Sequence, residues 1–268
     1  MPVNTQISDV EFGNFQRFIF EAAGITLSPN KKALVCGRLA KRVHARQLSS
    51  YAEYFNLLKS ARDPAEVQTA IDLLTTNETY FFREPKHFDM LRTVVSQQAG
   101  PAPFRVWSAA SSSGEEAYSI AMVLADCRGE QPFEVVGTDI STRMLAQART
   151  GHYSEQRARH IPMHYRKQYC LRGQGEHLGT LLVMRDLRRM VRFAQANLNE
   201  RLPDLGSFDV VFLRNVMIYF NGDTKRQVVE RVLSLLRPGG YFFIGHSESL
   251  HGISSAVTQI APSIYRKP

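Results

Sequence analysis

Four short apolar runs after residue 100 constrain the fold more than any other feature. They read "FRVWSAA", "FEVVGTDIS", "DVVFLRNV" and "GYFFIGHSE", each rich in β-branched or aromatic residues and each ending in small or polar ones. Helical patterns follow the first two, at "GEEAYSIAMVLADC" and "STRMLAQART". A third, "GDTKRQVVERVLSLLRPGG", joins the last two; Val228, Val232 and Leu235 recur there at helical spacing and "RPGG" ends the pattern. Strands alternating with helices predict a mainly parallel sheet in an α/β layer.

Residues 8 to about 75 carry a different pattern. "DVEFGNFQRFIFEAAG" sets Phe12, Phe15, Phe18 and Ile19 three and four residues apart, with Gly24 as a stop. "NKKALVCGRLAKRVHARQL" places Leu39 and Val43 on one helix face and Arg38, Arg42 and Arg46 on an adjacent one. "SSYAEYFNLLKS", capped by Ser49 or Ser50, and "PAEVQTAIDLLTT" predict two further helices. The expected organisation is a helical N-terminal domain over 1–75, a linker over 76–99 lining a cleft, and an α/β domain over 100–268. One stretch breaks the alternation: "QYCLRGQGEHLGTLLVMRDLRRMVRFAQANL" has two glycine turns and alternating apolar residues. Leu181, Val183 and Leu187, or Met190, Val191 and Phe193, suit short antiparallel strands, so a small β insert is expected at about 168–194.

Composition narrows the setting. No run of about 18 apolar residues occurs, so no transmembrane helix is expected. The start, "MPVNTQISDVEFGNF", lacks the basic and apolar regions of a signal peptide. Cys36, Cys127 and Cys170 are far apart and odd in number, which fits reduced thiols in a cytoplasmic protein and no metal site. The formal net charge of +8 favours an acidic partner. Between Glu21 and Glu53 there is no acid, yet Lys31, Lys32, Arg38, Lys41, Arg42 and Arg46 lie there. Nucleic acid and an acidic protein surface both fit that pattern.

In open α/β sheets ligands bind beyond the carboxyl ends of the strands. Here those ends are Ala109–Gly114, Asp139, Asn197 and Asn215. In "VWSAASSSGEEAYSIAM" small side chains allow close backbone approach to a flat ligand, and helix N–H groups begin near Gly114. A phosphate loop would carry more glycine and a lysine. Glu115 and Glu116 would repel phosphate and welcome a cation, although acids at a helix start also suit its dipole. Asp139, about 25 residues after Gly114, is placed to accept from both hydroxyls of a ribose, or to cap the next helix. A ligand with a ribose, a positive centre and no phosphate is S-adenosylmethionine. In "TTNETYFFREPKHF" Arg83 offers a planar fork for a carboxylate, the aromatics being equally suited to a core. "FLRNVMIYF" puts Arg214 and Asn215 at a strand end with Tyr219 four residues on; Val216 and Met217 stand where base-modifying enzymes resemble one another in having Pro-Pro. "IGHSESL" lacks a G-x-S-x-G elbow, so His246 and Glu248 are read as loop contacts.

Five stretches in order, "NETYFFREPKHF", "RVWSAASSSGEEAYSIAM", "GTDIS", "FDVVFLRNVMIYF" and "LRPGGYFFIGHSESL", resemble the CheR family of chemotaxis receptor glutamate methyltransferases. The resemblance implies an S-adenosylmethionine-dependent methyltransferase (Rossmann-like) sheet with a small antiparallel β subdomain, preceded by a small all-α domain. It implies that Asn77, Thr79 and Arg83 meet the methionine end of the cofactor or the transfer region. Gly114 and Glu115, or Glu116, follow the first strand, Asp139 is the ribose acid, and Asn197–Leu198 flank the adenine. Arg214, Asn215 and Tyr219 complete the cofactor and substrate end, with Arg83 and Tyr219 orienting the reacting groups. The implied product is S-adenosylhomocysteine. The implied partner is the acidic helical bundle of a receptor's cytoplasmic domain, docked at Arg38, Arg42 and Arg46. A receptor C-terminal peptide at the β insert and a regulatory protein are further partners it leaves open. Nucleic acid and membrane insertion are not expected, and a monomer is. The rivals are a nucleic-acid methyltransferase and a noncatalytic, cofactor-binding adaptor.

Overall fold

The computed structural model describes residues 7–98, 100 and 102–268. Two compact units emerge: one comprises the chain up to Thr76 with Tyr219–Thr224, the other Asn77–Ile218 with Lys225–Pro268.

In the first unit lie α1 (Asp9–Ala23), α2 (Lys32–Ala45), α3 (Tyr51–Lys59) and α4 (Pro64–Leu74). Helix α1 starts at a capping box: Glu11 N–H donates to Ser8 Oγ at 3.2 Å and Ser8 N–H to Glu11 Oε2 at 2.8 Å. It stops at Gly24, whose φ of 71° is the left-handed geometry glycine adopts without strain. Ser50, not Ser49, caps α3 by accepting from Glu53 N–H at 3.2 Å. Phe12, Phe15, Ile19, Val35, Leu39, Val43, Tyr54 and Leu74 form the buried core.

The basic stripe of α2 is engaged within this unit. Arg42 Nε donates to Glu66 Oε1 at 2.9 Å, and its Nη2 pairs with Glu66 Oε2. Arg46 Nε reaches Glu66 Oε2 at 3.0 Å, and its Nη2 pairs with Asp63. Arg38 Nη1 donates to the Leu74 and Thr75 carbonyls at 3.1 and 3.0 Å, satisfying acceptors at the end of α4. Glu66 is only 3% exposed and also accepts from Tyr54 Oη at 2.7 Å. A helix wheel shows the stripe's direction but not the acid it meets.

The second unit runs α5 (Pro85–Ser96), β1 (Phe104–Ala109), α6 (Glu115–Arg128), β2 (Phe133–Asp139), α7 (Thr142–Thr150), β3 (His152–Ser154), α8 (Glu155–Ala158) and α9 (Met163–Tyr169). It continues with β4 (Cys170–Arg172), β5 (Thr180–Val183), α10 (Arg185–Arg189), β6 (Val191–Gln195), β7 (Phe208–Leu213), α11 (Gly222–Ser234), β8 (Leu236–Ile244), β9 (Thr258–Ala261) and β10 (Ile264–Arg266). The opening residues of α11 cluster with the first unit. The main sheet has the order β6-β2-β1-β7-β8-β10-β9, parallel through β8 and antiparallel at β10 and β9. Because helices cover both faces, its central strands are apolar throughout, with Val106, Trp107, Val135, Val136, Val210, Val211 and Phe212 all buried. The strand order reverses between β1 and β7, which is where such sheets open a crevice at their carboxyl ends.

A separate antiparallel sheet has the order β3-β5-β4. It differs from the expected insert at both boundaries. It begins at His152, and Val191–Gln195 is instead an edge strand of the main sheet, parallel to β2 from Val135↔Val191 to Asp139↔Gln195. Alternating apolar residues mark a strand without naming its partner. Gly137 leaves the room that this pairing needs, since a Cβ on that residue would lie 2.6 Å from Phe193 Cε1. The "RPGG" stretch likewise lies inside β8, with a register shift opposite Phe208/Val210.

Glu66→Ala would take the acid partner from Arg42, one of two from Arg46 and the acceptor from the Tyr54 hydroxyl, and should lower unfolding free energy by about 1–3 kcal/mol in urea denaturation. Arg42 holds the Glu66 carboxyl below its ordinary range, so this stabilisation is complete above the ordinary carboxylate pKa and is lost as pH falls through the lower folded value. The difference between wild type and variant should therefore shrink in strong acid.

Candidate active site

Backbone strain gathers at the carboxyl ends of β1 and β7. Of the eight non-glycine residues with positive φ among those described, Phe82, Glu84, Ala110, Ser112 and Asn215 lie in the three segments built around these ends. Each such residue costs of order 1–3 kcal/mol and persists only where its surroundings fix it. For the loop after β1, Asp139 is the fixing group. Its Oδ2 accepts from Ser112 N–H at 2.8 Å and its Oδ1 from Ser141 N–H at 2.8 Å. Helix α7 takes its cap from Ser141, whose Oγ accepts from Met144 N–H at 3.3 Å. Asp139 thus ties two loops together and does not serve as the α7 cap. Carboxylate oxygens accept more than one hydrogen bond each, so this tie is compatible with a hydroxyl ligand.

Around this tie other named residues converge. Asn77 O accepts from Ser112 Oγ at 3.2 Å, joining the start of the linker to the loop. Ala196 N–H donates to Asp139 O at 3.1 Å, which brings Asn197 and Leu198 alongside. Gly114, at φ 93°, is crowded: an added Cβ would stand 2.9 Å from Ala148 Cβ and 3.1 Å from Tyr153 Oη. Ser111 Oγ is buried without a hydrogen-bond partner. A close-approach backbone and an unmatched buried hydroxyl beside Asp139, with no lysine in the loop, fit a polar nucleoside; Glu115 and Glu116 are each paired with an arginine and add no free charge to that choice.

The paired acids part company. Glu115 is fully buried, accepts from Ser113 Oγ at 2.8 Å and pairs with Arg157. Glu116 accepts from Ser108 Oγ at 2.7 Å and pairs with Arg214 Nη1 at 3.0 Å. Burial pushes both carboxyls upward, against the pull of their arginines.

Arg214 does not offer its guanidinium to solvent: the side chain is 1% exposed. Besides Glu116 it reaches Glu84 Oε2 with Nε at 3.3 Å and Nη2 at 3.1 Å, and Nη2 donates to the Arg83 carbonyl. The rings of Phe88 and Phe212 lie 5.7 and 5.8 Å from its Cζ. Arg214 is therefore a brace for residues 83–84. Phe81 and Phe82 anchor the same segment in the core, Phe82 N–H donating to Ser119 Oγ at 3.0 Å, whereas Tyr80 is 37% exposed. Arg83 is half-buried, donates to the Glu78 carbonyl at 3.2 Å and lies 5.6 Å from the centre of the Tyr80 ring. Thr79, between them, is half-buried.

Two carboxylates that the motifs did not single out as site residues organise the other side. Glu84 also accepts from Asn215 Nδ2 at 3.3 Å and His246 N–H at 3.2 Å. Glu248 accepts from Asn215 N–H at 2.9 Å, Gly245 N–H at 2.7 Å and Ile218 N–H at 3.3 Å, holding the turn after β7. Gly245 has no room for a side chain, since a Cβ would meet Asn215 Nδ2 at 2.5 Å. The available signal for Glu84 was its place before Pro85 at a helix start, where the backbone is restricted. Tyr219 belongs by clustering to the first unit, and its carbonyl accepts from Thr26 N–H at 2.8 Å. The structure thus holds Asn77, Thr79, Arg83, Gly114, Glu115, Asp139, Asn197, Leu198, Arg214 and Asn215 in one unit, and Tyr219, Arg38, Arg42 and Arg46 in the other.

A five-stranded parallel core extended by an antiparallel pair, with a polar, phosphate-averse loop after the first strand, is the architecture of an S-adenosylmethionine-dependent methyltransferase. Two family descriptions match the chain: "CheR methyltransferase, SAM binding domain" over residues 77–265 and "CheR methyltransferase, all-alpha domain" over 10–75. Chemotaxis protein methyltransferase 2 of Pseudomonas aeruginosa is 40% identical over 95% of this chain and 92% of its own length. The chemotaxis protein methyltransferase of Escherichia coli is 38% identical over 97% of this chain and 91% of its own length. The solved N-methyltransferase NodS from Bradyrhizobium japonicum has a TM-score of 0.40 and 12% identity over 69% of this chain and 96% of its own. The chain belongs to the CheR methyltransferase family.

His87 provides a test of how closed this charge cluster is. It is 1% exposed, its Nδ1 lies 3.3 Å from Glu84 Oε2, and burial followed by Arg214 lowers its pKa from 6.5 to about 3. The unfolded chain then binds a proton that the folded chain refuses, so stability falls as pH drops from 6.5 toward 3. Urea unfolding of wild type should lose more stability between pH 7 and pH 5 than that of His87→Gln; equal losses would count against a closed cluster.

Proposed function

We propose that this protein transfers the methyl group of S-adenosylmethionine to specific glutamate side chains in the cytoplasmic domains of chemotaxis receptors, forming glutamyl methyl esters. The observation that carries this reading is the strained loop Ala110–Gly114, held by Asp139 and flanked by acids, in a member of the CheR family. The residues that would hold the cofactor are Asn77, Thr79, Arg83, Gly114, Glu115, Asp139, Asn197, Leu198 and Asn215. Arg214 acts here by bracing residues 83–84, because its own charge is consumed internally.

The bound cofactor supplies an electrophilic methyl group on a sulfonium. The acceptor glutamate is already ionised near neutral pH, with a reference pKa of ~4.3, so the chain needs no strong general base. Its residues contribute position and exclusion of water, which favour a step in which opposite charges cancel. Arg83 would orient the reacting groups, a role the family resemblance also implies for Tyr219. An Arg83 that held the nucleophile too tightly would stabilise the ground state instead. Docking of an acidic receptor helix at Arg38, Arg42 and Arg46 would have to use the half-exposed edges of guanidinium groups, because Arg42 and Arg46 already pair with Glu66 and Asp63. The small sheet, with β3 and β4 as its outer strands, is suited to receive a receptor tail as an added strand. A cytoplasmic setting accords with the receptor substrate, and no described helix is long and apolar enough to cross a membrane.

Labelled S-adenosylmethionine should place base-labile label in a receptor cytoplasmic fragment and none in RNA. Label in RNA alone would overturn the assignment, and tight cofactor binding with no transfer to any receptor fragment would favour an adaptor. Asp139→Ala should weaken cofactor affinity at least about tenfold, since charged hydrogen bonds contribute about 1.5–3 kcal/mol each. Arg83→Ala should lower kcat by roughly a hundredfold, as loss of orientation does, with a smaller change in affinity.

A further inference from the structure

Side chains of β3 and of the α8 turn that follows it meet the loop after β1 at Ser113 and Glu115. Tyr153, in β3, donates from Oη to the Ser113 carbonyl at 2.7 Å. Arg157, in α8, donates from Nη2 to Ser113 Oγ at 2.7 Å and pairs with Glu115. Ser113 Oγ in turn donates to Glu115 Oε2 at 2.8 Å. Gly114 makes the approach feasible, because a side chain there would press on Tyr153 Oη. The side chains of β3 and α8 therefore grip the turn that leads from β1 into α6 at its carbonyl, its hydroxyl and the first helical carboxylate.

We propose that Arg157 is a positioning residue for cofactor binding: by pairing with the buried Glu115 it sets the Ser111–Gly114 turn, and through it the three-stranded sheet controls affinity for S-adenosylmethionine. This rests on the reading that the turn holds the cofactor. A buried carboxylate without a cation takes up a proton rather than remain charged. Burial already pushes the Glu115 carboxyl upward, and Arg157 and Ser113 pull it back. The charged and titratable groups facing it are Arg157 from α8 and the Tyr153 phenol from β3; Glu116, its neighbour on α6, is turned to Arg214. Loss of Arg157 leaves Glu115 protonated at a higher pH, so the turn loses its anion sooner as pH falls.

Calorimetric titration of the whole chain with S-adenosylmethionine from pH 6 to 9 tests this. Arg157→Ala should raise the Kd at least tenfold at pH 7 and regain affinity as pH rises, moving the midpoint of its pH profile upward by a unit or more, tenfold in proton concentration. Arg157→Lys should restore most of the affinity and the wild-type midpoint. Tyr153→Phe keeps the ion pair and loses one hydrogen bond, so its Kd should rise about threefold with the midpoint unmoved; it also stands in if Arg157→Ala fails to fold. Arg159→Ala, which removes an exposed charge one residue beyond α8, should bind as wild type. The proposal is overturned if Arg157→Ala or Tyr153→Phe binds as wild type. It is equally overturned if Arg157→Ala weakens binding by one factor at every pH and lysine does not rescue it. A wild type that does not bind S-adenosylmethionine refutes the cofactor reading itself, a result distinct from both.

Discussion

Arg214 leaves the carboxyl end of β7 with its charge enclosed in protein, and the surrounding chain is arranged to neutralise it. An isolated buried cation would cost several kcal/mol, so Glu84 from the linker and Glu116 from α6 are drawn to it. Those two carboxylates come from the linker and from α6, which also meet where Phe82 N–H donates to Ser119 Oγ. Their attraction fixes residues 83–84 against the strand end, and Glu84 passes the constraint to Asn215 and His246. One guanidinium thus determines where Arg83 begins its reach, without itself facing a ligand.

The same logic recurs in the loop after β1. Left-handed backbone at Ala110 and Ser112 is unfavourable in isolation, and Asp139 stabilises it by accepting from Ser112 and Ser141. Glu115 is then held by Arg157 as Glu116 is by Arg214. Charge pairs in this unit preorganise a rim of backbone, which is what a reaction driven by position requires. The basic stripe of α2 follows a related rule, its arginines turned onto a buried glutamate and onto helix-end carbonyls.

Much of the fold was legible in the order of residues. Strands β1, β2, β7 and β8 and helices α6, α7 and α11 announce themselves because a strand covered on both faces must be apolar throughout, and a helix packed on a sheet must repeat near 3.6 residues. The strand-end residues were also readable, since chemistry in such sheets sits beyond the carboxyl edge. Orientation was not: "FLRN" places Arg214 at the edge but cannot say that its side chain turns inward to Glu84, 130 positions away. Glu248 was readable only as a loop contact, because two of its three backbone partners, Asn215 and Ile218, lie 33 and 30 positions back in the chain.

What the residues determined alone is periodicity, capping and the inventory of charge: a helical beginning, alternating β and α segments, and acids where a phosphate site would have glycine and lysine. These are local properties, set by neighbours within a few positions. Tertiary structure decided the pairings. It paired β6 with β2, where Phe193 lies over Gly137, it separated Glu115 from Glu116 by giving them different arginines, and it tied β3 to the loop at Ser113. Such choices depend on burial, and burial exists only after distant segments have come together.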